Sequence, residues 1–193
     1  MLNQVERRRL QLRKIVKTEL GSWIFSIACA IALAYIVKVF IASFFIVEGA
    51  SMEPTLYNNE KVLVNKVAAW SGSIGHQDVV VIRDEENERY YVKRIIGLPG
   101  EKIEVKNDTL YINDQSKSEP YLSEKQVEVD LLKIDLTGDF EPVQVPNNHY
   151  FVMGDNRLDS RDSRNGLGYI NKEDIVGTVS YVLLPIDSLR KIK

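Results

Sequence analysis

The chain has one cysteine and two histidines in 193 residues, and these shortages remove several common kinds of chemistry. A single thiol cannot close an internal disulfide or supply a thiolate cluster for zinc. A Ser-His-Asp triad would have to use His76 or His149. His76 lies in a Gly-rich loop and reads as solvated. His149 opens an apolar run and reads as a hydrogen-bonded structural histidine. Neither a Gly-x-x-x-x-Gly-Lys-Ser/Thr phosphate loop nor a His-Glu-x-x-His zinc motif occurs. An excess of basic charge is also missing: 25 Lys and Arg stand against 27 Asp and Glu, which argues against a dedicated nucleic-acid binder. Gly154-Asp155-Asn156 begins like a calcium loop, but the ligand spacing fails, and Arg157, Arg161 and Arg164 would repel a cation. What remains is a chain with 45% hydrophobic residues, too apolar for disorder and of a length for one ordinary domain.

The near-neutral total hides an uneven distribution. Residues 1–19 carry six cations, Arg7, Arg8, Arg9, Arg13, Lys14 and Lys17, against Glu6 and Glu19. That is +4, which leaves −6 for the rest of the formal −2. From Leu20 to Val37 there is no charge, and Lys38 is the only one before Glu48. A spanning helix needs roughly 20 apolar residues, whereas the apolar core of a cleaved signal peptide has about 7–15. Residues 20–40 therefore read as an uncleaved signal anchor, with a buried core helix as the plainer alternative. The basic flank predicts a cytoplasmic tail at 1–19 and an extracytoplasmic domain at 41–193. Lys38 can snorkel its ammonium to the outer interface. Cys29 falls inside the span, so the exported part has no thiol.

Beyond the anchor the pattern has period two. Strands are predicted at 60–67, 78–83, 90–96, 102–106, 109–112, 149–153 and 175–184. Asn107-Asp108 is a two-residue hairpin signal, and Leu98-Pro99-Gly100 suits a type II turn. Residues 113–146 are polar and acidic without clear period and read as a peripheral insertion. The fold class is mainly β, one domain after one transmembrane helix.

Three segments stand out. Glu48 to Leu56 holds Ser51 between small residues, Gly49 and Ala50, and Met52-Glu53-Pro54. It is either a turn serine or a hydroxyl left open to an approaching substrate chain. In Tyr91 to Gly100, Lys93 and Arg94 fall on opposite faces of a strand. They are either two surface cations on an edge or a desolvated lysine, whose lowered pKa lets a neutral amine act as a base. Gly154 to Arg164 alternates Asp, Arg and Ser, and is either a solvated tip or a platform rigidified by charge-assisted pairs.

In this order, after one anchor helix, the three segments closely resemble the bacterial type I signal peptidases, the Gram-positive single-span form most of all. The family's Ser-Met-x-Pro-Thr-Leu stands at Ser51–Leu56, its lysine box at Lys93–Gly100 and its Gly-Asp-Asn-Arg-x-x-Ser-x-Asp-Ser-Arg box at Gly154–Arg164. The resemblance implies a coiled β-sheet catalytic domain and a Ser-Lys protease with Ser51 as nucleophile and Lys93 as general base. It implies Ser160 as the hydroxyl orienting the Lys93 amine, Asp162 and Arg164 as a structural ion pair, and Asp155 and Asn156 as supports. Val47, Met52, Leu56 and Val92 are the implied lining of shallow apolar pockets. The Ser51 amide would be one oxyanion donor. Relatives from Gram-negative bacteria place a serine two residues before the nucleophile as a second donor, and Gly49 stands there instead. Substrates would be secretory preproteins cut after small residues, with a membrane lipid surroundings, no cofactor, no metal, no nucleic acid, and a monomeric state. Two other readings are a self-cleaving Ser-Lys repressor-type protease and a non-catalytic membrane-anchored binding factor.

Overall fold

A computed structural model of the chain describes residues 21–192. The basic tail expected at 1–19 lies outside the described residues. The structure divides into two compact units, one ending at Ile41 and one from Ala42 onward. The first contains helix α1, Gly21–Ile41, which is long and apolar enough to cross a membrane. Its last turn, Val37–Ile41, is π-helical. None of its most apolar window is buried within the protein, as a lipid-facing helix requires.

The second unit is mainly β, as the period-two pattern predicts. Its strands are β1 (Ala42–Ile46), β2 (Lys61–Asn65), β3 (Val79–Asp84), β4 (Arg89–Gly97), β5 (Lys102–Lys106), β6 (Thr109–Ile112), β7 (Gln115–Ser116), β8 (Phe140–Gln144), β9 (His149–Met153), β10 (Ile170–Asn171), β11 (Ile175–Leu184) and β12 (Arg190–Lys191). The larger sheet runs β1-β2-β11-β3-β4-β9-β10 with β12 on β11, and the smaller runs β7-β6-β5-β8. Alternation along β3 explains why it lies at the heart of the large sheet. Val79 and Val81 pack with Val62, Val64 and Val182 on one face, and Val80 and Ile82 pack with Ile95 and Val152 on the other. Ile96, Phe151 and Met153 join Ile103, Val105 and Leu110 to fasten the small sheet to the large one.

The large sheet curls. Phe45 of β1 packs against Tyr90 of β4, the rings tilted by 60° with centroids 5.1 Å apart, although three strands separate β1 from β4 in the sheet order. The curl leaves a groove between these strands. At the β5–β6 hairpin, Asn107 and Asp108 both adopt the left-handed conformation, φ +50° and +54°, as the two-residue turn requires. Three features go beyond the sequence reading. β1 starts at Ala42, directly after the anchor. A short helix α2, Val67–Ser71, interrupts the strands. The expected peripheral insertion 113–146 is built into the fold: it holds β7, helix α3 (Ser123–Leu132) and β8, and β8 pairs with β5.

Candidate active site

Ser51 lies in a tight turn after β1, closed by Glu53 N–H donating to the Ala50 carbonyl and Leu56 N–H to the Met52 carbonyl. Met52 and Leu56 anchor that turn in the core beneath it. Gly49 enters the turn at φ +88°, a conformation that favours glycine. The Gly154 box fixes the same turn from the other side. Asn156 donates from its backbone to the Ser51 carbonyl at 3.0 Å and from its side chain to the Ala50 carbonyl at 3.2 Å.

β4 carries Lys93 and Arg94 at successive positions, and both are buried. Lys93 Nζ lies 2.6 Å from Ser51 Oγ. Burial pulls the amine down from 10.5 to about 8, against Asp162 and Asp155, which favour its charged form, while Arg164 adds to the lowering. Arg94 takes a bidentate grip on Asp155, 2.8 and 2.6 Å, with both side chains wholly inaccessible. It also donates to the Gln77 carbonyl and to Thr55 Oγ1, and Thr55 in turn donates to Asp155 at 2.5 Å. Arg94 is thus a buried ion-pair partner rather than an edge cation.

In the same box, Arg164 grips Asp162 at 2.9 and 2.8 Å. Burial alone would raise the Asp162 carboxyl, but the guanidinium and the Gly154 N–H outweigh it and hold it below the usual range. Ser160 Oγ is buried and has no hydrogen-bond partner among the described residues, so the Lys93 contact that the resemblance implies is not formed here; the amine points at Ser51. Ser160 is nonetheless pressed against the dyad's support. A Cβ on Gly154 would come within 2.2 Å of its Oγ and 2.4 Å of the Ser51 carbonyl.

The open groove beside the pair, about 640 Å³, is lined by Phe45, Val47, Ser51, Met52, Val92 and Lys93 among others. Leu56 does not line it: the side chain is fully buried in the core. His76 is exposed, as expected, and also pairs with Glu101 at 2.7 Å, and His149 Nδ1 meets the Asn147 carbonyl at 2.9 Å. Neither histidine lines the groove. Sequence reasoning missed Thr55, Gln77 and Tyr121, whose ring lies 3.9 Å from the Arg94 guanidinium. Thr55 was within reach, since it belongs to the serine motif; the other two meet Arg94 only through tertiary folding.

A curled antiparallel sheet that sets a serine hydroxyl against a buried amine, beside an open groove of mixed polar and apolar lining, has the geometry suited to a Ser-Lys hydrolase. The family model described as signal peptidase, peptidase S26, matches residues 20–184. The chain is 46% identical over 177 residues to signal peptidase I P of Bacillus subtilis subsp. natto, covering 92% of this chain and 96% of that one. It is 47% identical over 171 residues to signal peptidase I T of Bacillus subtilis strain 168, 89% of each. Among solved structures, a signal peptidase I from Enterococcus faecalis V583 aligns with a TM-score of 0.51 and 35% identity, over 55% of this chain and 97% of that one. The chain belongs to the type I signal peptidases, S26 serine endopeptidases that remove signal peptides from secreted preproteins. Its N-terminal helix anchors it in the membrane.

Proposed function

We propose that Ser51 is the nucleophile and Lys93 the general base of this peptidase, cutting after small residues of the Ala-x-Ala type. The observation that carries the reading is the 2.6 Å contact between Ser51 Oγ and Lys93 Nζ, made by an amine that burial brings down to about 8. A neutral Lys93 accepts the hydroxyl proton as Oγ bonds to the scissile carbonyl carbon. The intermediate collapses with cleavage of the C–N bond, and Lys93 returns the proton to the leaving amine. Lys93 then takes a proton from water as it attacks the acyl-enzyme carbonyl; the Ser51 Oγ–C bond breaks, and Lys93 returns that proton to Oγ, which closes the cycle.

The Ser51 N–H has no acceptor among the described residues, so it is available to the developing oxyanion. The Gly49 N–H is not, because it donates to Asn58 Oδ1 at 3.0 Å. Val47, Met52 and Val92 would contact the residues that precede the scissile bond. Asn156, Asp155, Asp162 and Arg164 would hold the platform on which the pair sits.

For topology, the proposal is that 1–19 form a cytoplasmic tail, 20–40 the span and 41–193 the extracytoplasmic catalytic domain. The six cations ahead of the span support that orientation. A substrate's signal peptide occupies the same bilayer, and tethering both partners there raises their effective concentration. The direct test is cleavage of a preprotein by the purified full chain, with Ser51→Ala and Lys93→Ala beside it. Both variants are expected to lose activity; wild-type rates from either would overturn the assignment. Protease shaving of intact protoplasts tests the orientation, with digestion of the domain beyond residue 48 expected.

A further inference from the structure

Residues 113–146 read from sequence as a peripheral excursion, yet one of them reaches the platform of the dyad. Glu119 forms a two-point ion pair with Arg157: Nη1 donates to Oε2 at 3.1 Å and Nη2 donates to Oε1. Arg157 is wholly inaccessible and Glu119 nearly so. The remaining donors of the guanidinium are also engaged. Nη1 donates to Thr137 Oγ1 at 2.7 Å, and Nε donates to the Gly154 carbonyl at 3.1 Å. Tyr121 donates its phenolic proton to Glu119 at 2.5 Å while its ring covers Arg94. Thr137 is itself held: the Asp108 carboxylate accepts from the N–H groups of Leu136, Thr137 and Gly138 at 2.9, 2.7 and 3.1 Å. The Thr137 carbonyl accepts from Arg164.

The far end of this chain of contacts is Gly154. Its carbonyl is held by Arg157, its N–H donates to Asp162 at 3.0 Å, and no room for a Cβ exists between it, Ser160 and the Ser51 carbonyl. A shift of the Gly154 peptide therefore cannot be absorbed without moving Ser51. A buried guanidinium keeps such a precise set of partners only while its charge is matched, and Glu119 is the matching charge.

We propose that Glu119 is a positioning residue for the Ser51–Lys93 pair, acting through Arg157 on the Gly154 peptide, with Tyr121 and Thr137 completing the clasp. The excursion is then a part of the catalytic platform. The proposal rests on the Ser51–Lys93 reading above.

The test uses the full-length enzyme in detergent and a preprotein substrate, with kcat and KM measured across pH. At pH values above the lysine limb, Glu119→Gln is expected to lower kcat about tenfold with KM within about twofold, since misplacing reacting groups costs turnover rather than ground-state binding. Glu119→Asp should recover part of that loss. Thr137→Val, which removes one Arg157 acceptor but leaves the backbone, should lower kcat by a smaller factor. Lys93 faces Asp155, Asp162 and Arg164, and an uncompensated Arg157 adds positive potential, so the acid limb of Glu119→Gln should move to lower pH. Glu128→Gln, an exposed residue of the same excursion paired with Lys125, should match wild type.

Wild-type kcat and an unmoved limb in Glu119→Gln overturn the proposal, as does a fall in melting temperature with kcat unchanged. If Glu119→Gln does not fold, Thr137→Val decides by kcat, with the pH limb expected to stay in place because the charge pair is kept; a wild-type kcat in it overturns the proposal. Ser51→Ala and Lys93→Ala run alongside: activity in those variants would refute the dyad itself, whereas their inactivity beside a fully active Glu119→Gln refutes only the positioning role.

Discussion

The pH dependence of turnover follows from one number and one geometry. Lys93 sits at about 8 instead of 10.5 because it is buried, and as the proposed general base it must be neutral to take the Ser51 proton. At pH 7 an amine at 8 is neutral about a tenth of the time, against about 0.03% for an ordinary lysine, a gain of roughly 300-fold in competent enzyme. The full chain, assayed on a preprotein from pH 6 to 10, should show kcat/KM rising tenfold per pH unit and levelling through a midpoint near 8. Lys93→Arg, which cannot deprotonate, should show no limb and no activity. The same shift enters stability. The folded pKa lies below the unfolded one, so between pH 8 and 10.5 the unfolded chain holds the extra proton and stability rises with pH across that window. Below pH 8 the whole cost, roughly 3 kcal/mol, is carried; above 10.5 it is gone. Subtracting a Lys93→Met variant from wild type in urea titrations isolates the term. A midpoint at the free-lysine value, or a wild-type-minus-variant stability difference that is flat from pH 8 to 10.5, would refute burial as the source of the base's strength.

Other sites carry sharp expectations. Gly154→Ala should abolish turnover, since its Cβ would overlap Ser160 Oγ and the Ser51 carbonyl; wild-type rates would mean that the turn is looser than described. Asp155→Asn leaves the inaccessible Arg94 charge unmatched and should cost about 3–5 kcal/mol in chemical denaturation. Arg190→Ala removes donors to the Thr55 carbonyl and to both oxygens of the buried Glu60. With Arg190 a third exposed, the loss should be about 1–2 kcal/mol in melting experiments, with a fall in kcat because Thr55, which follows Ser51 by four residues, also bonds Asp155 of the platform.

The strands were legible because their signal is local. Alternation and short apolar runs predict β2, β3, β4, β9 and β11 to within a residue or two, and Asn107-Asp108 predicts the β5–β6 hairpin. β1 was hidden because Ala42 to Ile46 is as apolar as the span before it, so composition shows no boundary where the helix ends. α3 was hidden for the opposite reason. Its exposed residues include Val127, Leu131 and Leu132, so no polar and apolar faces separate and no helical period appears in the sequence. The serine, the lysine and the box were each visible as unusual runs. Their meeting was not, because Ser51 and Lys93 are 42 positions apart and only the curl of the sheet closes that distance.

Leu56 and Glu119 err in opposite directions for the same physical reason. Leu56 stands inside a motif, and motif membership makes it a pocket candidate, yet a turn that is to hold the proposed nucleophile rigid needs a core anchor, and Leu56 fills that need. Glu119 stands in a stretch with no motif, where an acidic residue reads as solvated by default. Burying Arg157 in the platform demands a counter-charge from somewhere, and the box's own carboxylates are already committed, Asp155 to Arg94 and Asp162 to Arg164. Asp159 is the third carboxylate of the box, and it is exposed. The third buried guanidinium therefore draws its partner from outside the box. Gly154–Arg164 holds three arginines and three aspartates, so its charges balance on paper; only the folded chain, which turns Asp155 to Arg94 and leaves Asp159 exposed, shows that Arg157 draws its acid from elsewhere.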